Sequence, residues 1–464
     1  MTASILLTGS TGFLGTSLCA DLLNACAMPI YVLVRATSDA EALHRLREAW
    51  QHDDTLYRAI GAHVHPVLGD FTKPGLDLDA QSASMLRQSV THVFHVGAEV
   101  GFQKSGAELD AVNTEGTRNT LDFAATIGSL TRFVYVSTAY VAGQRRGVVR
   151  EDEPIANAFS SLYERSKAEA EALVRASGLP FAICRPGMIV GDSRTGWAKN
   201  FNTVYYVMKR MLLGKMRVLP VRKDQRLNIV PVDYVASAVA TIGFSDAAEG
   251  KTFHLTCPTS MQPTAGELAK YVRVWAEKNL GVRLPKPVFL PLSVVKKLGL
   301  SHNAKTGEKR RTPLANLLTL APYFFSEQDF DRTNADAVAG PYSLDWRDHI
   351  DALLTFACRV NFMRQTGQTV FEQAMVRRAS THYPIHYYDV MSDGLRRVSG
   401  QSVNERVREI AAALRRWGIC RGDRVALTGI NRWTIWRWNR PSASSARRVC
   451  PSTTPRPFPR RNYC

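Results

Sequence analysis

Three side chains in this sequence have types and a spacing that suit acid–base chemistry. Tyr163 and Lys167 are four residues apart in a helical pattern, so they share one face of the helix. A phenol with an ordinary pKa of about 10 is a poor acid–base group at neutral pH, but a neighbouring ammonium lowers that pKa. Thr138 follows the apolar run 134–136, where its hydroxyl either holds a substrate carbonyl or caps the strand end. Together they predict a site of proton transfer.

A glycine-rich segment near residue 10 predicts the binding of a dinucleotide. The apolar run 5–7 breaks at Gly9, Gly12 and Gly15, and the sequence resumes with a helical pattern over 13–23. The first glycine allows a tight turn, the second lets the backbone approach a pyrophosphate, and the third lets the helix pack on the strand. The free N–H groups of the helix N-terminus then bind the phosphates. The predicted contacts here are Thr8, Gly9, Thr11, Gly12, Phe13, Leu14 and Gly15.

The end of the second predicted strand indicates which dinucleotide binds. The run 30–34 ends on Arg35, twenty residues after Gly15. An NAD site places Asp or Glu there for the ribose 2′-hydroxyl, whereas arginine suits a 2′-phosphate. A solvated arginine at a strand end is the alternative. The sequence favours NADPH.

Alternating apolar runs and amphipathic segments over residues 1–190 predict the elements that position these groups. The fold class is α/β, a doubly wound parallel Rossmann sheet. Predicted strands are Ile5–Thr8, Ile30–Val34, His63–Leu68, His92–Val96, Arg132–Ser137 and Phe181–Arg185. Predicted helices are Phe13–Ala25, Asp39–His52, Glu108–Ile127 and Ser160–Ser177.

Beyond residue 190 the pattern is mixed and predicts a smaller α/β substrate-binding lobe over 191–340, followed by a linker over 341–368. Strands are predicted at Arg226–Pro231 and Thr252–Thr256, with some strands completing the first domain. Thr264 and Glu267 form a capping-box pattern before the helix Leu268–Lys278.

Composition excludes several classes of protein. The 464 residues carry a net charge of +18, but eight arginines lie after residue 430, and the rest shows no aromatic–basic stripe of a specific nucleic-acid binder. The eight cysteines form no C-x-x-C pair, so reduced thiols and no metal site are predicted. No uncharged apolar stretch is long enough for a transmembrane helix. A cytoplasmic protein is expected.

The order and spacing of these motifs resemble those of the extended short-chain dehydrogenase/reductases. The similarity covers about residues 3–260 and is greatest to the male-sterility-like thioester reductases and fatty acyl-CoA reductases. The matching segments are Leu7–Gly15, Leu33–Ala36, Gly69–Asp70, Phe94–Ala98, Asn113–Thr117, Val136–Val141, Tyr163–Lys167 and Arg185–Ser193.

The resemblance implies roles for the matching residues. Thr138, Tyr163 and Lys167 would be the catalytic triad, with Tyr163 and Lys167 also contacting the cofactor. Asp70 would lie near the adenine, Gly97 and Ala98 beside the ribose, and Pro186 and Gly187 at the start of the substrate side. Gly97 departs from the larger residue expected there. Asn113 is either a support for the catalytic helix or a structural amide. Residues 191–196 are expected to form a loop on the substrate side, and residues 231–236 are expected to anchor the second lobe. For each segment the alternative is a plain structural role.

A second resemblance concerns the C-terminal region. Tyr387–Val390 and Asn404–Asn431 are similar to the beginning of an adenylate-forming, AMP-binding acyl-CoA synthetase. The expectation is a truncated fragment over 369–430, with a helix at Asn404–Trp417 and a strand at Arg424–Thr428. Residues 431–464 contain arginine, proline and serine without an acidic residue, and a disordered, frameshifted tail is expected.

The leading prediction is an oxidoreductase that uses NADPH to reduce a fatty acyl thioester, on CoA or a carrier protein, to an aldehyde or alcohol. One alternative within the fold is a nucleotide-sugar epimerase or dehydratase, or a hydroxysteroid-type dehydrogenase. Another is a non-catalytic dinucleotide sensor or scaffold, which would need only the glycine turn.

Overall fold

A computed structural model describes residues 3–101, 104–201, 203–290, 294, 327–360, 362, 378, 386–391 and 394–418. The chain divides into two compact units, Met1–Gly367 and Gln368–Cys464, and each is described by itself.

The first unit alternates strands and helices through most of its length. Its strands are β1 Ser4–Thr8, β2 Ile30–Val34, β3 Val64–Leu68, β4 Val90–His95, β5 Arg132–Val136, β6 Gly147–Val149, β7 Phe181–Pro186, β8 Met188–Val190, β9 Val218–Leu219, β10 Ile229–Pro231, β11 Lys251–Leu255, β12 Val288–Phe289 and β13 Gln328–Phe330. Its α-helices are α1 Phe13–Ala25, α2 Asp39–Trp50, α3 Asp54–Ala59, α4 Ala80–Ser89, α5 Gly106–Leu109, α6 Glu115–Ala124, α7 Leu162–Ala176, α8 Val204–Leu212, α9 Val232–Phe244, α10 Ala265–Leu280, α11 Thr333–Ala339 and α12 Trp346–Arg359.

Seven of these strands form one parallel sheet in the order β3-β2-β1-β4-β5-β7-β11. The order reverses at β1, which pairs with β2 on one side and β4 on the other. A ligand crevice forms outside the carboxyl ends of the strands at such a switch point. The predicted doubly wound α/β fold is confirmed.

The sheet is buried on both faces because successive residues of each strand point to opposite sides. Ile5 and Leu7 of β1 lie in a core cluster with α1 and α9, whereas Leu6 lies in another with α4, α6 and α7. All three are fully buried, which accounts for the continuous apolar run in the sequence.

The remaining elements of the first unit build a smaller lobe with its own core. Met208 of α8, Val272 of α10 and Leu353 of α12 belong to one buried cluster. The capping box of α10 is present, with Thr264 Oγ1 accepting from the Glu267 N–H and the Glu267 carboxylate accepting from the Thr264 N–H.

Two elements differ from the sequence predictions. The stretch expected to be a linker contains helix α12. Gly191 and Gly196 pack closely against this helix, and a Cβ on Gly196 would lie 2.0 Å from the Ala352 carbonyl oxygen. The helix predicted over 108–127 is interrupted by a π-helical turn at Asp110–Thr114. The strand predicted at 252–256 is β11, which lies at the edge of the main sheet and is one of the later strands expected to complete the first domain.

The described part of the second unit contains an antiparallel hairpin, β14 His386–Met391 with β15 Gly394–Ser399, and helix α13 Gly400–Arg416. This helix confirms the one predicted at 404–417. The strand predicted at 424–428 and the tail 431–464 lie outside the described residues, and the adenylate-forming resemblance stays a prediction. In the described parts of the chain, no helix combines the length and apolar character needed to cross a bilayer.

Candidate active site

One cavity of about 570 Å³ lies at the carboxyl ends of the central strands. All the predicted site residues except Thr8 line it: Gly9, Thr11, Gly12, Phe13, Leu14, Gly15, Arg35, Asp70, Gly97, Ala98, Thr138, Tyr163, Lys167, Pro186 and Gly187. The fold therefore brings together groups that are up to 178 positions apart in the sequence.

The glycine turn after β1 has the backbone that a pyrophosphate site requires. Gly9 adopts a φ of +74°, and the Gly12 N–H donates to the Gly9 carbonyl oxygen at 2.8 Å. A Cβ on Gly15 would lie 2.1 Å from that same oxygen, so a side chain there would open the turn. Because α1 begins at Phe13, its N-terminal N–H groups lie at the cavity. The turn fits a dinucleotide.

Thr8 supports the site from behind the cavity. Its fully buried hydroxyl bonds His95 Nδ1 at 2.8 Å and accepts from the Gly97 N–H at 3.3 Å. Burial lowers the pKa of His95 to about 3, with the charge of Lys167 acting in the same direction, so this imidazole is neutral. Thr8 thus holds the backbone of the Gly97 turn.

Two guanidinium groups line the outer end of the cavity. Arg35 is exposed at the end of β2, and the Arg45 guanidinium of α2 donates to the Arg35 carbonyl oxygen. Both residues line the cavity. Sequence reasoning missed Arg45 because it lies among the exposed charges of an ordinary amphipathic helix.

The neighbouring wall explains the glycine at position 97. A Cβ on Gly97 would lie 2.7 Å from Cε1 of Phe71, and one on Gly116 would lie 2.6 Å from Cδ2 of the same ring. The Phe71 ring therefore occupies the space of a larger residue at 97. Asp70 beside it accepts from the Thr72 N–H and hydroxyl at 3.0 and 2.8 Å, so its carboxylate is held in place.

Tyr163 and Thr138 meet at the inner end of the cavity. Burial raises the pKa of the Tyr163 phenol above its ordinary value, and a side-chain hydrogen bond with Thr138 acts in the opposite direction. This direction differs from the lowered pKa expected from the sequence, because burial outweighs the interactions that favour the phenolate. The phenol is protonated at neutral pH and can act as an acid.

Lys167 lies one helical turn beyond Tyr163 and is almost fully buried. Its Nζ donates to the Val136 carbonyl oxygen at 2.7 Å and lies 4.2 Å from the centre of the Tyr135 ring. Burial lowers the pKa of Lys167 to about 7, against the opposing charge of Glu171.

Glu171 is the centre of a buried polar network behind the catalytic helix. Its carboxylate accepts from Ser137 Oγ at 2.8 Å, Arg185 Nη2 at 2.6 Å and Arg175 Nη2 at 2.9 Å. Burial would raise the pKa of this carboxyl, but the charges of Arg185 and Arg175 hold it below its usual value. The network joins α7 to β7 and to the residue preceding Thr138.

Asn113 fixes α7 from the opposite side. Its side-chain amide donates to Ser166 Oγ at 3.0 Å, between Tyr163 and Lys167 in the sequence, and its Oδ1 accepts from the Glu99 N–H. The π-helical turn of Asp110–Thr114 presents this amide. Its position fits the first of the two roles that the sequence left open, a support for the helix that carries Tyr163 and Lys167.

The residues expected to form the substrate side follow β7. Gly187 packs against Asn228, and Tyr205 of α8 accepts from the Gly191 N–H at 2.8 Å. In the segment expected to anchor the second lobe, Asp233 accepts from the Ser193 N–H and hydroxyl at 2.9 and 2.5 Å. Sequence reasoning missed the apolar wall of the cavity at this end, formed in part by Met188, Val204 and Tyr205.

Comparison with known proteins identifies the family to which this chain belongs. The profile of the male sterility protein family, a group of NAD-binding domains, matches residues 7–239. The chain belongs to this family. Similar proteins include a linear gramicidin synthase of Brevibacillus parabrevis, which is 33% identical over 266 residues. The L-2-aminoadipate reductase large subunit of Penicillium chrysogenum is 29% identical over 344 residues.

The chain spans only a small part of these relatives. The match covers 55% of this chain and 5% of the gramicidin synthase, and 68% of this chain and 23% of the aminoadipate reductase. What those whole proteins do is therefore a property of much longer chains.

Solved structures of similar length agree with the family. The terminal R domain from the myxalamid PKS-NRPS pathway is 29% identical with a TM-score of 0.66, covering 78% of this chain and 92% of that domain. The reductase domain of a nonribosomal peptide synthetase from Mycobacterium tuberculosis is 26% identical with a TM-score of 0.58, covering 78% and 93%. A UDP-glucuronic acid 4-epimerase from Bacillus cereus, 17% identical with a TM-score of 0.55 over 77% of this chain and 99% of that one, shares the fold alone. The chain is thus a male-sterility-type, NAD(P)-binding domain of the oxidoreductase family.

Proposed function

We propose that this chain reduces an acyl thioester with NADPH. One observation carries the proposal: a single cavity joins the arginines at its outer end, the glycine turn, the Thr138–Tyr163–Lys167 group and an apolar wall. A sensor would need the glycine turn, but it would not need an acid and an ammonium at the far end of the same cavity.

The choice of NADPH rests on Arg35 and Arg45. Both guanidinium groups line the cavity at the end of β2, where a ribose 2′-phosphate would lie. Guanidinium groups bind phosphate through paired N–H donors, so two of them favour the phosphorylated dinucleotide.

When bound, NADPH would supply a hydride to the carbonyl carbon of the substrate. The side chains of Thr138 and Tyr163 would hold the carbonyl oxygen, and Tyr163 would give it a proton. Its raised pKa suits this role, because the phenol is protonated before the reaction. Lys167 would hold the ribose hydroxyls and supply positive charge beneath the phenol. Loss of the thiol from the resulting hemithioacetal gives an aldehyde, and a second reduction gives an alcohol.

The substrate proposed is a fatty acyl group, because apolar side chains line part of the cavity. They include Val100, Val112, Met188, Ile189 and Val204. The named reductase domains of peptide synthetases support a carrier protein as the bearer of the thioester, and CoA is the other proposed bearer.

An NADPH-consumption assay tests the proposal. Acyl-CoA and acyl-carrier thioesters of increasing chain length are offered separately, and products are identified by mass spectrometry. We expect aldehyde or alcohol in proportion to the NADPH oxidised, and none from sugar nucleotides. Oxidation with a UDP-sugar but with no thioester would overturn the proposal.

A further inference from the structure

The glycine turn contains no charged side chain, although a pyrophosphate carries two negative charges. Residues 9–15 are Gly, Ser, Thr, Gly, Phe, Leu and Gly. The cationic residues among the described cavity-lining residues are Arg35, Arg45 and Lys167. Arg35 follows β2, Arg45 belongs to α2 and Lys167 to α7, so none of these described cations belongs to the glycine turn.

A lysine from the smaller lobe of the first unit lies against this turn. The Lys199 ammonium donates to the carbonyl oxygen of Thr11, a residue of the turn that lines the cavity. Asn200, the next residue, also lines the cavity. Lys199 is 188 positions away from Thr11 in the sequence, so no motif around the glycines reveals it.

The position of Lys199 is fixed by aromatic packing two residues earlier. The Trp197 ring stacks on His52 with centroids 3.9 Å apart and planes 9° from parallel, and it lies 5.5 Å from the ring of Phe13. Burial lowers the pKa of His52 to about 4, so this imidazole is neutral and adds no charge beside the ammonium. The loop before Trp197 is held by its own hydrogen bonds, including the Asp192 N–H to the Trp197 carbonyl oxygen at 2.9 Å.

We propose that Lys199 binds the pyrophosphate of the dinucleotide and is the charged part of a phosphate site that the glycine turn leaves incomplete. An ammonium has three N–H donors, so a bond to Thr11 is compatible with one to a phosphate oxygen. Since Trp197 holds the segment in place beforehand, little freedom is lost when the dinucleotide binds. The inference rests on the proposed function only in requiring a dinucleotide in this cavity.

Direct binding measurements separate this role from that of Arg35. Dissociation constants of NADPH, NADH and adenosine 2′-phosphate are measured by calorimetry for the full chain, Lys199→Met, Arg35→Ala and Lys215→Met. Adenosine 2′-phosphate lacks the pyrophosphate, and NADH lacks the 2′-phosphate. Lys215 is an exposed lysine of the same lobe and serves as the matched control.

Lys199→Met is expected to weaken NADPH and NADH equally, by about tenfold, and to leave adenosine 2′-phosphate unchanged. Arg35→Ala is expected to weaken NADPH and adenosine 2′-phosphate but not NADH, and Lys215→Met should change none of them. Lys199→Arg, with an unchanged melting temperature, should keep most of the affinity. The inference is overturned if Lys199→Met leaves both dinucleotides unaffected or weakens all three ligands alike. Equal binding of NADH and NADPH by the unmodified chain would instead refute the NADPH proposal alone.

Discussion

Replacing the buried carboxylate of Glu171 by an amide (Glu171→Gln) will destabilise the fold strongly. Its side chain is fully buried and that of Arg185 is 2% exposed, so the substitution leaves the Arg185 charge in the interior without its partner. Breaking a buried pair on one side costs about 3–5 kcal/mol. Glu169→Gln on the same helix is the control. Glu169 Oε1 lies 3.8 Å from Arg165 Nε, and both side chains are about 40% exposed. A pair of that kind contributes about 0–1 kcal/mol.

The same substitution will also alter the chemistry, because the Glu171 charge raises the pKa of Lys167. Without that charge the pKa falls further below its ordinary value, and less of the ammonium is present at neutral pH. Urea unfolding of the full chain measures the first effect, and the pH profile of turnover measures the second. Equal urea midpoints for the two glutamine variants, with identical pH profiles, would refute the account of this network.

Four further predictions concern the cavity. Arg35→Ala should remove most of an affinity preference for NADPH over NADH that we expect to be at least about tenfold, or 1.4 kcal/mol, as measured by titration. Tyr163→Phe should reduce turnover by a factor on the order of 10²–10⁴ with NADPH binding nearly intact, since it removes a positioned acid; near-normal turnover would contradict the proposed triad. Gly97→Ala should cost about 1–3 kcal/mol in urea unfolding through its clash with Phe71, and Phe71→Leu in the same chain should recover part of it. Because burial lowers the Lys167 pKa from 10.5 to about 7, the native chain releases this proton first, so the Lys167 contribution to stability should increase as the pH rises from 7 towards 10.5. The free energy of unfolding is measured at pH 7 and at pH 9. It should be larger at pH 9 for the full chain, and Lys167→Met should show no such gain.

The parts of the fold that were predictable from the sequence are those fixed by local rules. One tight turn requires the three glycines Gly9, Gly12 and Gly15. The spacing of apolar residues predicts the strand before this turn and the helix after it. The spacing of Tyr163 and Lys167 is likewise a property of one helix. Each of these depends on residues within about one turn or strand, so the sequence contains the whole reason.

The unpredicted parts depend on contacts between distant segments. Lys199 reaches the glycine turn from the second lobe, and Arg45 reaches the cavity from the exposed side of α2. The pKa of Tyr163 depends on its burial, which no spacing of residues gives. Helix α12 lies in the stretch expected to be a linker, and its packing partner, the loop at 191–196, precedes it by about 150 residues.

The position of β11 at the edge of the main sheet has a consequence for biosynthesis. Its partner β7 is complete by residue 186, but β11 begins only at residue 251. While the intervening 64 residues are being translated, β7 has a free edge whose N–H and C=O groups can pair with another chain. The seventh strand therefore cannot join the sheet until the ribosome has passed residue 255. Because pairing between distant segments is slow, the nascent chain exposes its free strand edge for longer and is more prone to aggregate. A polypeptide ending at residue 190 should accordingly be recovered as aggregates, whereas one that includes β11 should keep the sheet soluble.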